Sequence, residues 1–335
     1  MKLPVKSRSV QLFVSTLLLL ALTACSKKAD LATAQPNTDK PTKLKLALNW
    51  VPEHEFGGFY AARESGAYRK RGLDVEIQGG GAGVPVLQMV ATGRADFGTV
   101  GGDELVTARA RGADVVAVFA TFQTSPQGIM IHASRKVANL AQVFESGTLA
   151  LETGAPYAGY LKKKFPWGNV KIVPYDGGVA RFLSDANFGQ QCYVTSEPIV
   201  ARQKGADPQV FLIADAGYNP YATVVITRRE LLQTHRDLVQ KFVSASADGW
   251  RTYLADPRPT NRVLGKLNPS MDAATLAAAS TAQKPLIETA ETRKRGLGTM
   301  SQERWETLSK QLLELKLIER TPNVNELFAS DLTQR

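Results

Sequence analysis

The chain has 335 residues, 44% hydrophobic, 21% charged and 8% aromatic, which excludes a disordered or collagen-like chain and is long enough for two packed lobes. Two cysteines, Cys25 and Cys192, exclude a disulfide framework and offer no zinc-ribbon spacing. Of the formal charge of +10, seven cations and two acids fall in residues 1–43, leaving +5 scattered over the rest; with one tight cluster, Arg293-Lys294-Arg295, this describes a solvated face and predicts no nucleic-acid partner.

Residues 1–24 have the layout of an export signal. Lys2, Lys6 and Arg8 form a positive start, and LFVSTLLLLAL over residues 12–22 forms an apolar run of 11 residues. A bilayer-spanning helix needs about 20. The run closes on Leu22-Thr23-Ala24-Cys25, which resembles a bacterial lipobox. That resemblance implies acylation of Cys25 and anchorage to the cell membrane by lipid, facing the periplasm; the alternative is a plain signal peptide with an incidental cysteine. Residues 25–43 then read as a lipidated flexible tether, polar, with Pro36 and Pro41 and no periodicity. Cys192, in the apolar run QQCYVTS, is left without an intramolecular partner and is expected to be a buried, inert thiol.

From Leu44 short apolar runs alternate with amphipathic stretches. Strands are predicted at 44–49, 73–78, 114–121, 128–132, 147–151, 169–174, 191–195, 209–213 and 222–227, with helices at 57–65, 84–92, 103–111, 138–145, 156–164, 178–186 and 197–204. The alternation predicts an α/β fold with mostly parallel sheets. After about residue 228 the strands stop, and 229–255, 257–267, 272–290 and 300–318 read as helices. In the last, Trp305, Leu308, Leu312 and Leu315 share one face, a packing stripe. Segments 133–137 (ASRKV) and 214–221 (ADAGYNPY) read as crossovers between lobes. Lobe 1 would then be 44–132 plus 222–335 and lobe 2 138–213, with a ligand site in the cleft beyond the strands' carboxyl ends.

Asn49-Trp50-Val51-Pro52, Gly57-Gly58-Phe59-Tyr60-Ala61-Ala62, Gly66-Ala67-Tyr68 and Gly72-Leu73-Asp74-Val75-Glu76 together resemble the opening of the substrate-binding proteins of ABC importers. Within these they are most similar to the group that binds thiamine-pyrimidine precursors, related to the fungal pyrimidine synthases. Gly93-Arg94-Ala95-Asp96-Phe97-Gly98 and Glu197-Pro198 match further motifs of that group. The resemblance covers about residues 44–230. It implies a two-lobed periplasmic binding protein fold (type II) with two inter-lobe crossovers. It also implies capture of a small heteroaromatic solute, an ABC permease and ATPase as partners, and a monomer without cofactor. Relatives that bind sulfonates, taurine, nitrate or flavin precursors keep the solute open, and a receptor feeding a membrane sensor is a further reading. An enzyme on the same fold is the remaining alternative, but the chain lacks the cysteine-rich metal motif of the synthases, and no Ser/His/Asp or Cys/His constellation replaces it.

Asn49 and Trp50 end the first strand, where a Trp can cover a flat ring and an Asn can bond its donors and acceptors, the alternative being that Trp50 caps the core. Tyr60 is carried over with its motif. His54, within Glu53-His54-Glu55, is expected to be a hydrogen-bonding residue of the cleft or simply exposed. It is not read as a metal ligand, because His54, His132 and His235 lie far apart and adjacent residues do not converge on one ion. Gly81 and Gly83, in Gly79-Gly80-Gly81-Ala82-Gly83, precede a helix whose free N–H groups could meet a ligand, or form a flexible turn. Gly101 opens a second such helix, with Asp103 as its expected N-cap. In lobe 2, Thr153 and Tyr157, then Tyr175 and Asp176, lie at strand ends facing the cleft. Glu197 is the sharpest choice, a carboxylate able to accept paired bonds from an aminopyrimidine; the alternative is ordinary helix N-terminal electrostatics. Tyr218 and Tyr221 could close over the ligand or pack the hinge.

Overall fold

The computed structural model describes residues 40–329 and 331–333. The expected export signal, Cys25 and the expected tether up to residue 39 lie outside the described residues. Thr42 and Lys43, expected to be tether, instead pair in the first strand.

Two five-stranded sheets form two lobes. The first holds β1 (Thr42–Ala47), β2 (Leu73–Gln78), β3 (Phe97–Val100), β4 (Val115–Phe122) and β10 (Ala222–Arg228), in the order β2-β1-β3-β10-β4. The second holds β5 (Gln127–His132), β6 (Thr148–Leu151), β7 (Lys171–Pro174), β8 (Phe188–Tyr193) and β9 (Pro208–Leu212), in the order β7-β6-β8-β5-β9. β1 alternates, burying Leu44 and Leu46 between exposed lysines, whereas every residue of β4 is buried. A strand covered on both faces reads as a continuous apolar run.

The helices are α1 (Gly57–Glu64), α2 (Val86–Ala91), α3 (Gly102–Ala110), α4 (Leu140–Val143), α5 (Pro156–Lys164), α6 (Ala180–Ser184) and α7 (Glu197–Gln203). They continue with α8 (Arg229–Thr234), α9 (Arg236–Ala255), α10 (Arg258–Leu267), α11 (Ala273–Ile287), α12 (Ala290–Arg295) and α13 (Gln302–Glu314). α9 covers the first sheet, with Trp250 wholly buried and Phe242 stacked on Phe97 at 3.8 Å between ring centroids. In α13, Trp305, Leu308 and Leu312 are buried as the stripe predicts; Leu315, at the helix end, is half-buried.

Three expectations are corrected. The sheets are mixed: β10 runs antiparallel to β3 and β4, and β5 antiparallel to β8 and β9. Each is the strand that has just arrived from the other lobe, and so enters its sheet reversed. The first crossover is residues 123–126, not 133–137, because β5 pairs with β8 and β9 and therefore belongs to the second lobe. An apolar run such as GIMIH does not say which sheet will take it; residues 133–135 are a turn that merely ends β5. The return crosses residues 213–221, between β9 and β10. Finally, β3 reads in the sequence as part of a turn. It is four residues long and contains Gly98, where a Cβ would lie 2.4 Å from the Val86 side chain, so α2 packs directly on the strand.

Candidate functional site

A cleft of about 490 Å³ lies between the lobes. The first lobe contributes the segment after β1 and the start of α3. The second contributes the ends of β6, β7 and β8, and both crossovers form the floor. Among the described residues the lining holds six carboxylates, those of Glu53, Glu55, Asp103, Glu152, Asp176 and Glu197, and no lysine or arginine.

Trp50 reaches the cleft and is 42% exposed, so its ring is an open apolar face and not a core cap. Asn49 is oriented by Thr99, whose hydroxyl donates to Asn49 Oδ1 at 2.7 Å, leaving the side-chain amide to donate elsewhere. The glycine run supports this segment from behind. Gly80 N–H donates to the Trp50 carbonyl at 2.9 Å, and a Cβ on Gly80 would lie 1.9 Å from the Leu48 carbonyl oxygen. Gly81 and Gly83 therefore belong to a supporting turn; neither lines the cleft. Tyr60 is also outside it, buried in the first lobe's core with the Arg63 guanidinium 5.0 Å from its ring centre. Its place on α1 turns it into the buried cluster of the first lobe.

His54 lines the cleft and is only 2% exposed, and its Nδ1 has no partner among the described residues. Burial lowers its pKa to about 4, so the ring is neutral at physiological pH. Gly101 lines the cleft as the N-cap of α3. Asp103 is not that cap. It sits in the first turn, where Oδ1 accepts from Glu104 N–H at 3.0 Å and Oδ2 from the Tyr218 hydroxyl at 3.3 Å.

In the second lobe Tyr157 is held by its hydroxyl, which accepts from Glu152 N–H at 3.1 Å and donates to Gln191 Oε1. Thr153 is exposed beyond the cleft's edge, because the turn after β6 directs it to solvent. Tyr175 donates to Glu197 Oε1 at 2.8 Å, and Tyr193 N–H donates to Glu197 Oε2 at 2.8 Å. Asp176 is exposed at the cleft's rim. Tyr221 lines the floor, but its hydroxyl accepts from Ser301 N–H at 2.9 Å, which ties it to the chain leading into α13.

The acids perturb one another across the cleft. Burial, then the charge of Glu197, pushes Glu53 up to about 7, while the Trp50 indole N–H acts in the opposite sense. Burial, then Glu53 and Glu197, pushes Glu55 up to about 8. Glu197 is also raised, chiefly by burial, although its three hydrogen-bond donors oppose this. The sequence reading missed Glu53 and Glu55 as cleft-lining groups, although their place just past Trp50 at a strand's carboxyl end was a signal. It also missed Gln191, although consecutive glutamines inside an apolar strand are another. Among the described residues no group of His, Cys, Asp and Glu side chains is arranged to hold a metal ion.

Two α/β lobes joined by two crossovers around a cleft constitute the periplasmic binding protein fold. The chain belongs to the NMT1/THI5 like family, which matches residues 53–260, more than half its length. It is 26% identical over 265 residues to the riboflavin-binding protein RibY of Chloroflexus aurantiacus, covering 73% of this chain and 74% of that protein. It is 25% identical over 242 residues to the 4-amino-5-hydroxymethyl-2-methylpyrimidine phosphate synthase THI11 of Saccharomyces cerevisiae, covering 66% and 69%. In fold it is similar to the periplasmic aliphatic sulphonate binding protein SsuA of Escherichia coli. The TM-score is 0.66 at 14% identity, over 85% of this chain and 91% of that one.

Proposed function

We propose that the protein is the solute-binding component of an ABC importer, exported and held to the membrane by lipid on Cys25. It captures a flat, nitrogen-rich solute of the thiamine-pyrimidine type between its lobes and delivers it to a permease. The observation that carries this reading is the cleft's composition: six carboxyl groups, no lysine or arginine among the described lining residues, and one open indole face. A sulfonate or nitrate placed there would lose water and gain like-charge repulsion, with no lysine or arginine among the described lining residues to pair with it. A ring bearing N–H donors does the reverse. Its face stacks on Trp50, and its donors enter between Glu53 and Glu197, offsetting the Glu197 charge that, after burial, raises Glu53. His54 Nδ1 and Thr195 Oγ1, cleft residues' atoms without partners among the described residues, are further places for a ligand's polar groups.

RibY is a riboflavin-binding protein, and a flavin ring also offers a flat face and an N–H donor, so a flavin is the second reading. Among the described residues no helix is long and apolar enough to cross a membrane. The test is native mass spectrometry of the protein purified from its own cells. An adduct of aminopyrimidine mass supports the reading; a flavin adduct favours the second reading, and a sulfonate adduct overturns both.

A further inference from the structure

Arg304, in the first turn of α13, bonds to both segments that join the lobes. Nη1 donates to the Gln123 carbonyl in the first crossover. In the second, Nε donates to the Asn219 carbonyl at 2.8 Å, and Nη2 donates to Asn219 Oδ1 at 2.9 Å and to the Pro220 carbonyl at 3.0 Å. The guanidinium lies 3.9 Å from the centre of the Tyr221 ring. Asn219 Oδ1 in turn accepts from Ser125 N–H at 2.8 Å, so the two crossovers are bonded to each other as well as to the arginine. Ser125, Pro220 and Tyr221 form part of the cleft floor. Among the described residues no carboxylate pairs with Arg304; carbonyl oxygens and an aromatic face hold its charge. Burial lowers its pKa to about 10, which leaves it charged at neutral pH.

We propose that Arg304 is the positioning residue of the hinge. One guanidinium straps both crossovers to α13 and fixes the floor on which the lobes close. A two-lobed binder signals occupancy by rotating its lobes about the linking segments. Two linkers free to move separately would allow the lobes to twist and slide as well as close. Pinning both to one rigid plane restricts them to a shared axis. Only arginine serves here, because its five donors are fixed in a planar fork; lysine presents a single point charge that cannot reach three carbonyls and an amide oxygen together. The anchor is firm, since Trp305, Leu308 and Leu312 of the same helix are buried in the core.

The test is hydrogen–deuterium exchange on the full chain, comparing wild type with Arg304→Lys and Arg304→Met, together with solution scattering of each. Exchange should quicken by about tenfold or more in peptides covering residues 123–127 and 217–223, where the strap is lost. Peptides from α13 and from β1 and β2 should stay protected, and the scattering should report a broader range of lobe separations. Lysine, which keeps the charge, should not restore the wild-type pattern. Unchanged exchange at the crossovers, a change in only one of them, release of α13 along with them, or an unaltered scattering profile would each overturn the proposal.

Discussion

Replacing Glu55 with Gln should stabilise the ligand-free protein, and by more as the pH rises. Glu55 is 8% exposed, and burial with the charges of Glu53 and Glu197 raises its pKa from 4.5 to about 8. A carboxyl that binds its proton more tightly when folded destabilises the fold as pH climbs from the unfolded value to the folded one. Between those limits the native state holds more protons than the unfolded chain, so unfolding stability falls with rising pH. Each pH step inside that window costs about 1.4 kcal/mol. Between pH 5.5 and 8.5 the wild type should therefore lose on the order of 3 kcal/mol at this residue, a loss that a glutamine does not suffer. Urea unfolding followed by circular dichroism at both pH values gives the difference between the two proteins. That difference should widen in favour of Glu55→Gln at pH 8.5. A gap constant to within about 0.5 kcal/mol across the range would refute the claim that the cleft holds a strained carboxylate.

Other consequences follow from the same geometry. Trp50→Ala should leave urea stability nearly unchanged, since the ring is 42% exposed, yet weaken capture of a flat solute by roughly tenfold or more in calorimetry. Glu197→Gln keeps one acceptor for Tyr175 or Tyr193 but loses the charge, so aminopyrimidine affinity should fall roughly ten- to hundredfold; equal affinity would remove this carboxylate from the site. Cys25→Ser should abolish incorporation of labelled fatty acid, because acylation needs that sulfur, and continued labelling would exclude a lipid anchor there.

The strand–helix alternation made the α/β class legible, and the loss of strands after residue 228 correctly foretold the helical C-terminal part. Local pattern could not allot strands to sheets. GIMIH is equally apolar whichever lobe receives it, and only its pairing with β8 and β9 decides. β3 escaped notice because a glycine in a four-residue strand looks like a turn until α2 is seen lying against it. At the cleft, residues near strand ends could be picked out, as Trp50, Tyr157 and Glu197 were. Side-chain direction could not, so Tyr60 proved to face the core, and Gly81 and Gly83 to lie in a turn under Trp50. The effect of Glu197 on Glu53 and Glu55 was beyond reach, because it joins residues more than a hundred positions apart through a fold. Arg304 gave no sequence signal at all: it is one charged residue on an amphipathic helix until both crossovers converge on it.

The claim that the acidic cleft selects donor-bearing rings over anions is tested most directly by titrating the wild-type protein in a calorimeter with 4-amino-5-hydroxymethyl-2-methylpyrimidine and, separately, with taurine. The carboxylate lining and the open Trp50 face predict saturable binding of the pyrimidine and no binding of the sulfonate. Saturable binding of taurine with none of the pyrimidine would contradict the account.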